Sequence, residues 1–299
     1  MNRVTHKIIP RIFGGLGNQL FCYAAARRLA LVNRAELVID DTSGFVCDHT
    51  YQRQYQLHHF SIPCRKATAA ERMEPFARVR RYAKRRLSQR LLFSERSYIK
   101  QEGMDFDPRL LQIRPRDTVY LEGYWQSEDY FTDVAEIIRD DLRIVPPTDA
   151  ANTAMAAQIR NSPAVAVHMR FFDSITESGV NNAPAEYYPR AVTRMETLAP
   201  DAHYYVFSDN PDVARTRMPL PNGRTTYVSQ NHGDASAYAD LWLMTQCRHF
   251  IIANSTFSWW GAWLAQQQDK HVIAPVFEMR HGKMWWGFDG LLPETWIKL

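Results

Sequence analysis

The 299-residue sequence has few cysteines, no long apolar run and little excess charge of either sign. No cysteine stands in a CxxC pair and no HxxxH spacing accompanies them, so we expect reduced thiols and not a zinc site. No stretch approaches the roughly 18 apolar residues of a membrane-spanning helix, and the N-terminus lacks the pattern of a signal peptide. We therefore expect a cytoplasmic protein. Its cysteines are Cys22, Cys47, Cys64 and Cys247.

The residues that are present form an α/β pattern. The chain is 45% hydrophobic and 12% aromatic, with a net charge of +4, which is typical of a globular protein of about two domains. Short apolar runs alternate with helical stretches, which predicts parallel sheets covered on both faces. Strands are predicted at 7–13, 36–40, 119–122, 165–168, 203–207, 250–253 and 271–274. Helices are predicted at 20–31, 134–142, 150–160, 188–198 and 236–246. A proline-containing stretch at 143–149 is typical of a linker, so we predict domains at 1–148 and 149–299.

Positive charge is concentrated in residues 65–100, where twelve Lys and Arg face three acidic residues. Apolar residues there recur at three- and four-residue spacing, which predicts an amphipathic helix. One interpretation is a surface that docks peripherally on an anionic membrane or on an acidic acceptor carrier. The other is a solvated basic face whose apolar stripe packs on the protein. No aromatic-interleaved motif supports nucleic-acid binding. The stripe comprises Phe76, Val79, Ala83, Leu87 and Leu91.

Polar residues and glycines follow four of the predicted strands, where ligands bind in a parallel sheet. The segments are 14–19, 168–173, 208–211 and 254–258. In the last, Ser255, Thr256 and Ser258 stand between a strand and a helix. There, free N–H groups and the helix dipole favour a phosphate, although one hydroxyl would suffice merely to cap the helix.

Two other motifs predict different chemistry more weakly. Gly15 and Gly17 nearly fit the dinucleotide fingerprint, and Asp40 stands at a strand end, but Leu20 replaces the third glycine. An NAD oxidoreductase is therefore a minor alternative. Asp105 and Asp107 form a DxD string typical of metal-dependent glycosyltransferases, but they lie in a loop between a glycine and a proline. We expect no metal and no cofactor.

At these segments the sequence resembles the bacterial α-1,2-fucosyltransferase family, distantly related to the α-1,6- and protein O-fucosyltransferases. The matching strings are GGLGNQLFCY at 14–23, YLEGYWQSEDY at 120–130, HMRFFD at 168–173, FSDNP at 207–211 and DLWLMTQCRHFIIANSTFSWWGAWL at 240–264. The resemblance implies a GT-B fold, with two Rossmann-like domains facing across a donor/acceptor cleft. It also implies a GDP-fucose donor and inversion at the sugar carbon.

The resemblance assigns a role to each matching residue. His168 and Arg170 lie at the diphosphate, where Arg170 neutralises the departing GDP. Asp240 accepts hydrogen bonds from N1–H and the amine of guanine, and Asp209 supports the pocket. The remaining donor-binding residues are Gly15, Gly17 and Asn18 from the first domain and Ser255, Thr256, Phe257 and Ser258 from the second. Those on the acceptor side are Tyr124, Trp125 and Gln126.

One departure from the family motif concerns the donor. The family motif HxRRxD becomes HMRFFD here, so Phe171 replaces an arginine that would carry charge near the phosphates. Arg190 or Arg194 are hypothetical substitutes, and an altered GDP-sugar is an alternative. The catalytic base is either Asp173 or Glu177.

The resemblance implies transfer of L-fucose to the 2-hydroxyl of a terminal β-galactoside, as in surface polysaccharide synthesis on a lipid carrier. A related transferase of different donor or linkage, and a non-catalytic nucleotide- or sugar-binding protein, stay open.

Overall fold

The computed structural model describes residues 6–49, 51–171, 182–218, 220–279 and 284–299. The chain divides into two compact units. Unit 1 is the chain up to Arg143 together with Asp289–Leu291, and unit 2 is Ile144–Phe288 with Leu292–Leu299. Each unit is built on its own parallel β-sheet with helices between the strands.

Unit 1 contains a five-stranded sheet in the order β3-β2-β1-β5-β4, in which every pairing is parallel. Its strands are β1 (Lys7–Pro10), β2 (Glu36–Ile39), β3 (Arg65–Lys66), β4 (Tyr98–Lys100) and β5 (Thr118–Glu122). Its helices are α1 (Leu16–Val32), α2 (Ala77–Ser88) and α3 (Ala135–Asp141).

Unit 2 contains a six-stranded parallel sheet in the order β13-β10-β9-β6-β7-β8. Its strands are β6 (Ala164–Met169), β7 (His203–Ser208), β8 (Thr225–Tyr227), β9 (His249–Ile251), β10 (Val272–Ala274) and β13 (Ile297–Lys298). A separate antiparallel pair is formed by β11 (Phe277–Met279) and β12 (Met284–Trp286). The helices are α4 (Ala150–Arg160), α5 (Tyr187–Leu198), α6 (Pro211–Arg217), α7 (Ala237–Gln246) and α8 (Thr256–Leu264).

A glycine loop leads into α1, and a buried glutamine holds that loop. Gly14 has φ +77°, and a side chain there would meet the Tyr124 ring at 3.1 Å, so the close approach requires glycine. The fully buried Gln19 donates from Nε2 to the carbonyls of Gly14, at 2.9 Å, and Gln54, at 2.8 Å, and accepts from Gln56 N at 2.9 Å. Gln19 therefore fixes the loop and satisfies buried backbone groups.

Two tyrosines of α5 hold the carboxyl ends of the unit 2 strands. The Tyr187 hydroxyl lies 2.7 Å from the Ile252 carbonyl oxygen and 3.0 Å from that of Ile273, so it can donate to either. The Tyr188 hydroxyl donates to the His168 carbonyl at 3.0 Å. All six residues of β6 are buried. Hydrogen bonds from α5 thus stabilise the edge of the sheet at which ligands bind in folds of this kind.

A helix forms within the basic segment 65–100 as α2, but it covers only Ala77–Ser88, and Arg65–Lys66 and Tyr98–Lys100 are strands instead. Of the two interpretations of the segment, the one in which the apolar stripe packs on the protein is wrong. Phe76, Val79, Leu87 and Leu91 are between 46% and 76% exposed. On α2 only Ser88 is buried.

Two further sequence expectations concern the membrane and the cysteines. No helix among the described residues is long and apolar enough to cross a membrane. All the cysteines are free: Cys22 and Cys247 are buried, Cys64 is partly buried and Cys47 is exposed.

Replacement of Tyr187 by Phe should lower the free energy of unfolding by about 1–3 kcal/mol, because buried carbonyl oxygens lose their donor. Chemical denaturation monitored by tryptophan fluorescence measures this loss. The control is Tyr51→Phe, since Tyr51 is 66% exposed, and it should leave stability unchanged. Equal stability of the Tyr187→Phe variant and the unaltered chain would refute this stabilising role.

Candidate functional site

The candidate site lies at the carboxyl edge of the unit 2 sheet. Strand β6 pairs with β7 on one side and with β9 on the other. The chain runs outward from β6 to β7 and β8 and then returns to β9. A parallel sheet leaves a ligand crevice where the strand order reverses in this way. The carboxyl ends of β6 and β9 form that point.

His168 is the buried histidine at this point. His168 is only 6% exposed. The centroid of its ring lies 5.5 Å from that of Phe257, which is in the first turn of α8. Burial, aided by the nearby Arg170 cation, lowers the pKa of His168 to about 3. Its Nδ1 atom is buried and has no hydrogen-bond partner among the described residues. The imidazole is therefore neutral, and the hydrogen-bonding capacity of its Nδ1 is unmet.

Arg170 and Asp209 form an ion pair across neighbouring strand ends. Arg170 Nη1 lies 3.1 Å from Asp209 Oδ2, and Asp209 Oδ1 accepts from Phe171 N at 3.1 Å. Burial raises the pKa of Asp209, and the Arg170 cation opposes that rise. Asp209 thus holds both the guanidinium and the backbone that follows β6.

The serine cluster at the start of α8 divides into a cap, a buried hydroxyl and a partly exposed threonine. Ser255 is the N-cap, and its Oγ accepts from Phe257 N at 3.3 Å. Ser258 is fully buried and donates to the Ser255 carbonyl at 3.2 Å. Ser255 and Thr256 are partly exposed. Ser255 therefore does cap the helix. The partly exposed hydroxyl groups of Ser255 and Thr256 are more accessible to a phosphate than the buried hydroxyl of Ser258.

Asp240 lies in the first turn of α7 and belongs to a polar network that joins α7 to α4. Asn231 Nδ2 donates to Asp240 Oδ1 at 2.8 Å and to Asn152 Oδ1 at 2.9 Å. Asn152, which is buried, donates in turn to Asp149, the N-cap of α4. Burial raises the pKa of Asp240 from 3.8 to about 7, against the lowering effect of the Asn231 hydrogen bond. A desolvated carboxylate of this kind gains most from new hydrogen-bond donors.

The sequence assigned no role to Asn152 or Asn231. Asparagines three residues after a helix cap or in a loop carry no pattern that indicates a binding site.

Phe171 stands where the family motif has a second arginine, and the side chain of Arg217 lies near its ring. Arg217, at the end of α6, lies with its guanidinium carbon 5.7 Å from the Phe171 ring centroid. The hypothetical substitutes Arg190 and Arg194 lie exposed on α5. Arg217 was also missed, because nothing in the sequence relates α6 to the motif.

In unit 1, the predicted acceptor residues separate into buried and partly exposed ones. Trp125 is only 1% exposed and packs edge-on against Tyr130, so its ring belongs to the core of unit 1, and its assignment to the acceptor side stays a prediction. Gln126 is also buried and donates to Asn18 Oδ1 at 2.8 Å. Tyr124 is partly exposed and stacks on Phe13 with centroids 4.4 Å apart. Phe13, which the sequence reasoning did not single out, completes an aromatic surface here.

The glycines of the predicted donor set lie in the same unit 1 loop. Gly15 is the N-cap of α1, and Gly17, which is buried, lies in its first turn beside Asn18. Backbone N–H groups of a helix start are suited to an anion.

The remaining sequence candidates are the base and the DxD string. Asp173 and Glu177 lie outside the described residues. Asp105 accepts from Asp289 N at 3.2 Å, and Asp107 caps a helical turn and pairs with Arg109. In the described part of the chain, no group of three or more His, Cys, Asp or Glu side chains is placed to hold a metal ion.

Comparison with known families decides the class of protein. The model of glycosyl transferase family 11 matches residues 77–281, which is more than half of the chain. The chain belongs to glycosyl transferase family 11. It is therefore a glycosyltransferase, and the oxidoreductase alternative is wrong.

Two relatives from Escherichia coli resemble this family 11 member over nearly its whole length. The O-antigen biosynthesis glycosyltransferase WbnK is 27% identical over 96% of this chain and 98% of its own. An alpha-1,2-colitosyltransferase is 26% identical over 98% of both chains.

Solved structures confirm the predicted GT-B type of α/β fold. The NodZ alpha-1,6-fucosyltransferase soaked with GDP-fucose has a TM-score of 0.53 at 15% identity, covering 87% of this chain and 92% of its own. A variant of Arabidopsis thaliana FUT1 in complex with GDP has a TM-score of 0.52 at 12% identity, covering 90% of this chain and 70% of its own. The fold and the family are thus shown, whereas donor and linkage stay predictions.

Replacement of Asn231 by Ala should raise the pKa of Asp240 above about 7, because the carboxylate loses the one donor that favours its ionised form. Carbon-detected NMR titration of the aspartate side chains measures this pKa directly. The matched control is Asn161→Ala, at the end of α4, which should leave the Asp240 titration where it is. A lower Asp240 pKa in the Asn231→Ala variant would contradict the network.

Proposed function

We propose that this protein transfers L-fucose from GDP-fucose to the 2-hydroxyl of a terminal galactoside, with inversion at the sugar carbon. The observation that carries the proposal is the convergence of His168, the Arg170–Asp209 pair and the start of α8 at one switch point. A nucleoside diphosphate needs a cation, backbone N–H groups and a polar anchor, and this edge offers all of them.

Guanine is the base that suits Asp240. A carboxylate can accept from N1–H and the exocyclic amine together, whereas adenine presents no such pair of donors. Asn231 contacts Oδ1, which fixes the carboxyl plane for a second partner. The guanine end and the diphosphate end of the donor would then bind at α7 and at β6.

In the proposed reaction the acceptor 2-hydroxyl oxygen forms the new bond to C1 of the sugar while the C1–phosphate bond breaks. The hydroxyl proton goes to Asp173 or Glu177, and GDP leaves with the bonding electrons. Arg170 stabilises the charge that develops on the leaving phosphate. We propose that no metal takes part.

The acceptor in this proposal is a growing surface polysaccharide. Support comes from the relative named for O-antigen biosynthesis. The stacked pair of Phe13 and Tyr124 suits the apolar face of a sugar ring.

A second candidate is transfer of colitose, which is L-fucose without its 3-hydroxyl. The similarity to an alpha-1,2-colitosyltransferase favours it, and it retains the same nucleotide and linkage. Phe171, in place of an arginine, is consistent with a donor that differs from that of the family motif. A site that hydrogen-bonds a hydroxyl group strongly rejects an analogue that lacks this group. The enzyme should therefore use GDP-fucose and GDP-colitose with clearly different kcat/KM.

The test is GDP release with GDP-fucose or GDP-colitose and with lactose or N-acetyllactosamine, in the presence of EDTA. NMR of the product identifies the linkage. Acceptor-dependent release with an α-1,2-linked fucose supports the leading proposal, and a strong preference for GDP-colitose supports the second. Tight GDP binding without transfer of either sugar would mean that the nucleotide pocket is real and that the donor or the acceptor is a different one.

Replacement of Arg170 by Ala should lower kcat at least about a hundredfold, because the leaving diphosphate loses its stabilising cation. Steady-state kinetics measure this loss, and the melting temperature should change little, since the side chain is partly exposed. The matched control is Arg248→Ala, which removes an exposed arginine that pairs with Asp269, and this variant should retain activity. A fully active Arg170→Ala variant would exclude the assigned role.

GDP affinity should increase with pH through about 7, because the unbound Asp240 is largely protonated below its raised pKa and only the carboxylate accepts both guanine donors. We expect binding about tenfold weaker at pH 6 than at pH 8, measured by calorimetry. The Asp240→Asn variant should show only the titration of the GDP phosphate itself. The same pH dependence in that variant would contradict the assignment.

A further inference from the structure

Helix α2 presents its apolar side chains to solvent. Successive residues of an α-helix lie about 100° apart, so Val79, Ala83 and Leu87 share one side. The opposite side packs on the sheet of unit 1. This arrangement is the reverse of an ordinary amphipathic surface helix, which buries its apolar stripe.

Specific contacts fix the helix in this orientation. Ser88 Oγ accepts from Tyr98 N of β4 at 3.0 Å. Lys84 Nζ lies 4.6 Å from the ring centroid of Tyr120 in β5. Arg80 donates to the Glu74 carbonyl at 3.2 Å. The helix cannot roll its apolar stripe inward without losing these contacts.

The exposed side of α2 and the residues that flank the helix carry both apolar and basic side chains, and together we call them the α2 surface. Its apolar members are each 46% exposed or more, and its basic members are also exposed. They are Phe76, Val79, Leu87, Leu91 and Leu92, with Arg78, Arg80, Arg86 and Arg90.

The charge of this region is of one sign. Residues 75–94 contain seven Arg and Lys and no Asp or Glu. Within the described ranges none of these seven forms an ion pair, although Arg86 donates to the Tyr82 hydroxyl. The positive charge of the exposed members, Arg78, Arg80, Arg86 and Arg90, is therefore available to an external anionic partner. The same charge opposes pairing of α2 with a second copy of itself.

We propose that the α2 surface docks this enzyme on an anionic lipid bilayer. Arginines would contact the lipid phosphates while Phe76, Val79 and Leu87 enter the headgroup and acyl boundary, as in interfacial helices. A soluble anion would use the arginines but would leave the apolar side chains in water. Exposure of both kinds of side chain on the α2 surface thus favours a bilayer. The inference goes beyond the proposed sugar transfer and does not depend on it.

Co-sedimentation of the full chain with vesicles tests the proposal. One set of vesicles is phosphatidylcholine alone, and the other contains about one quarter phosphatidylglycerol. The chain should bind the anionic vesicles at least about tenfold more strongly, and high salt should weaken that binding. Equal binding to both vesicle types, or to neither, would overturn the proposal.

Three variants separate the contributions. The apolar variant carries Phe76→Ser, Val79→Ser and Leu87→Ser, and the charge variant carries Arg78→Gln, Arg86→Gln and Arg90→Gln. Both should lose vesicle binding about tenfold or more. The matched control carries Val32→Ser, Val46→Ser and Ile137→Ser, which replace exposed apolar residues elsewhere in unit 1, and it should bind like the unaltered chain.

The pattern among the variants decides between kinds of partner. If only the charge variant loses binding, the surface is a general polyanion site, as an acidic protein would need, and the bilayer proposal is wrong. If the control loses binding as much as the apolar variant, the contact is non-specific and the proposal is also wrong. Unchanged melting temperatures show that each variant is folded.

Discussion

The parallel pairing of β6 with β7 and β9 is the constraint on which the candidate site depends. Parallel strands end at the same edge, so the residues that follow them meet although they are far apart in sequence. Arg170 and Asp209 come within 3.1 Å in this way. The tyrosines of α5 hold the same strand ends through their carbonyl oxygens. The pairing of the buried strands thus determines where the polar side chains of the site lie.

Burial at this edge determines the chemistry of its titratable groups. His168 is held neutral, whereas the pKa of Asp240 lies near 7 because water is largely excluded from its carboxyl group. Groups of this kind gain free energy when a ligand supplies the missing hydrogen bonds. Asp209 has a partner already, and its part is to orient Arg170. The edge therefore combines positioned charge with unmet hydrogen-bonding capacity, as expected of a nucleotide site.

The sequence predicted the seven interior strands of the two parallel sheets because each contains a short apolar run, which in β6 is buried over its whole length. It missed the four edge strands, β3, β4, β8 and β13, since an edge strand is short and partly polar, with no such run to detect. The sequence also did not predict the direction in which individual side chains point. Nothing local shows that Trp125 turns into the core, that Ser258 is buried, or that Arg217 reaches Phe171. Those facts depend on contacts between distant segments.

We propose that the carboxyl edge of unit 2 recognises guanine through Asp240. Calorimetric titration with GDP and with IDP tests it most directly, because IDP lacks only the exocyclic amine. We expect GDP to bind about ten- to a hundredfold more tightly than IDP, and we expect Asp240→Asn to remove this difference. Equal affinities for GDP and IDP in the unaltered chain would contradict this proposal.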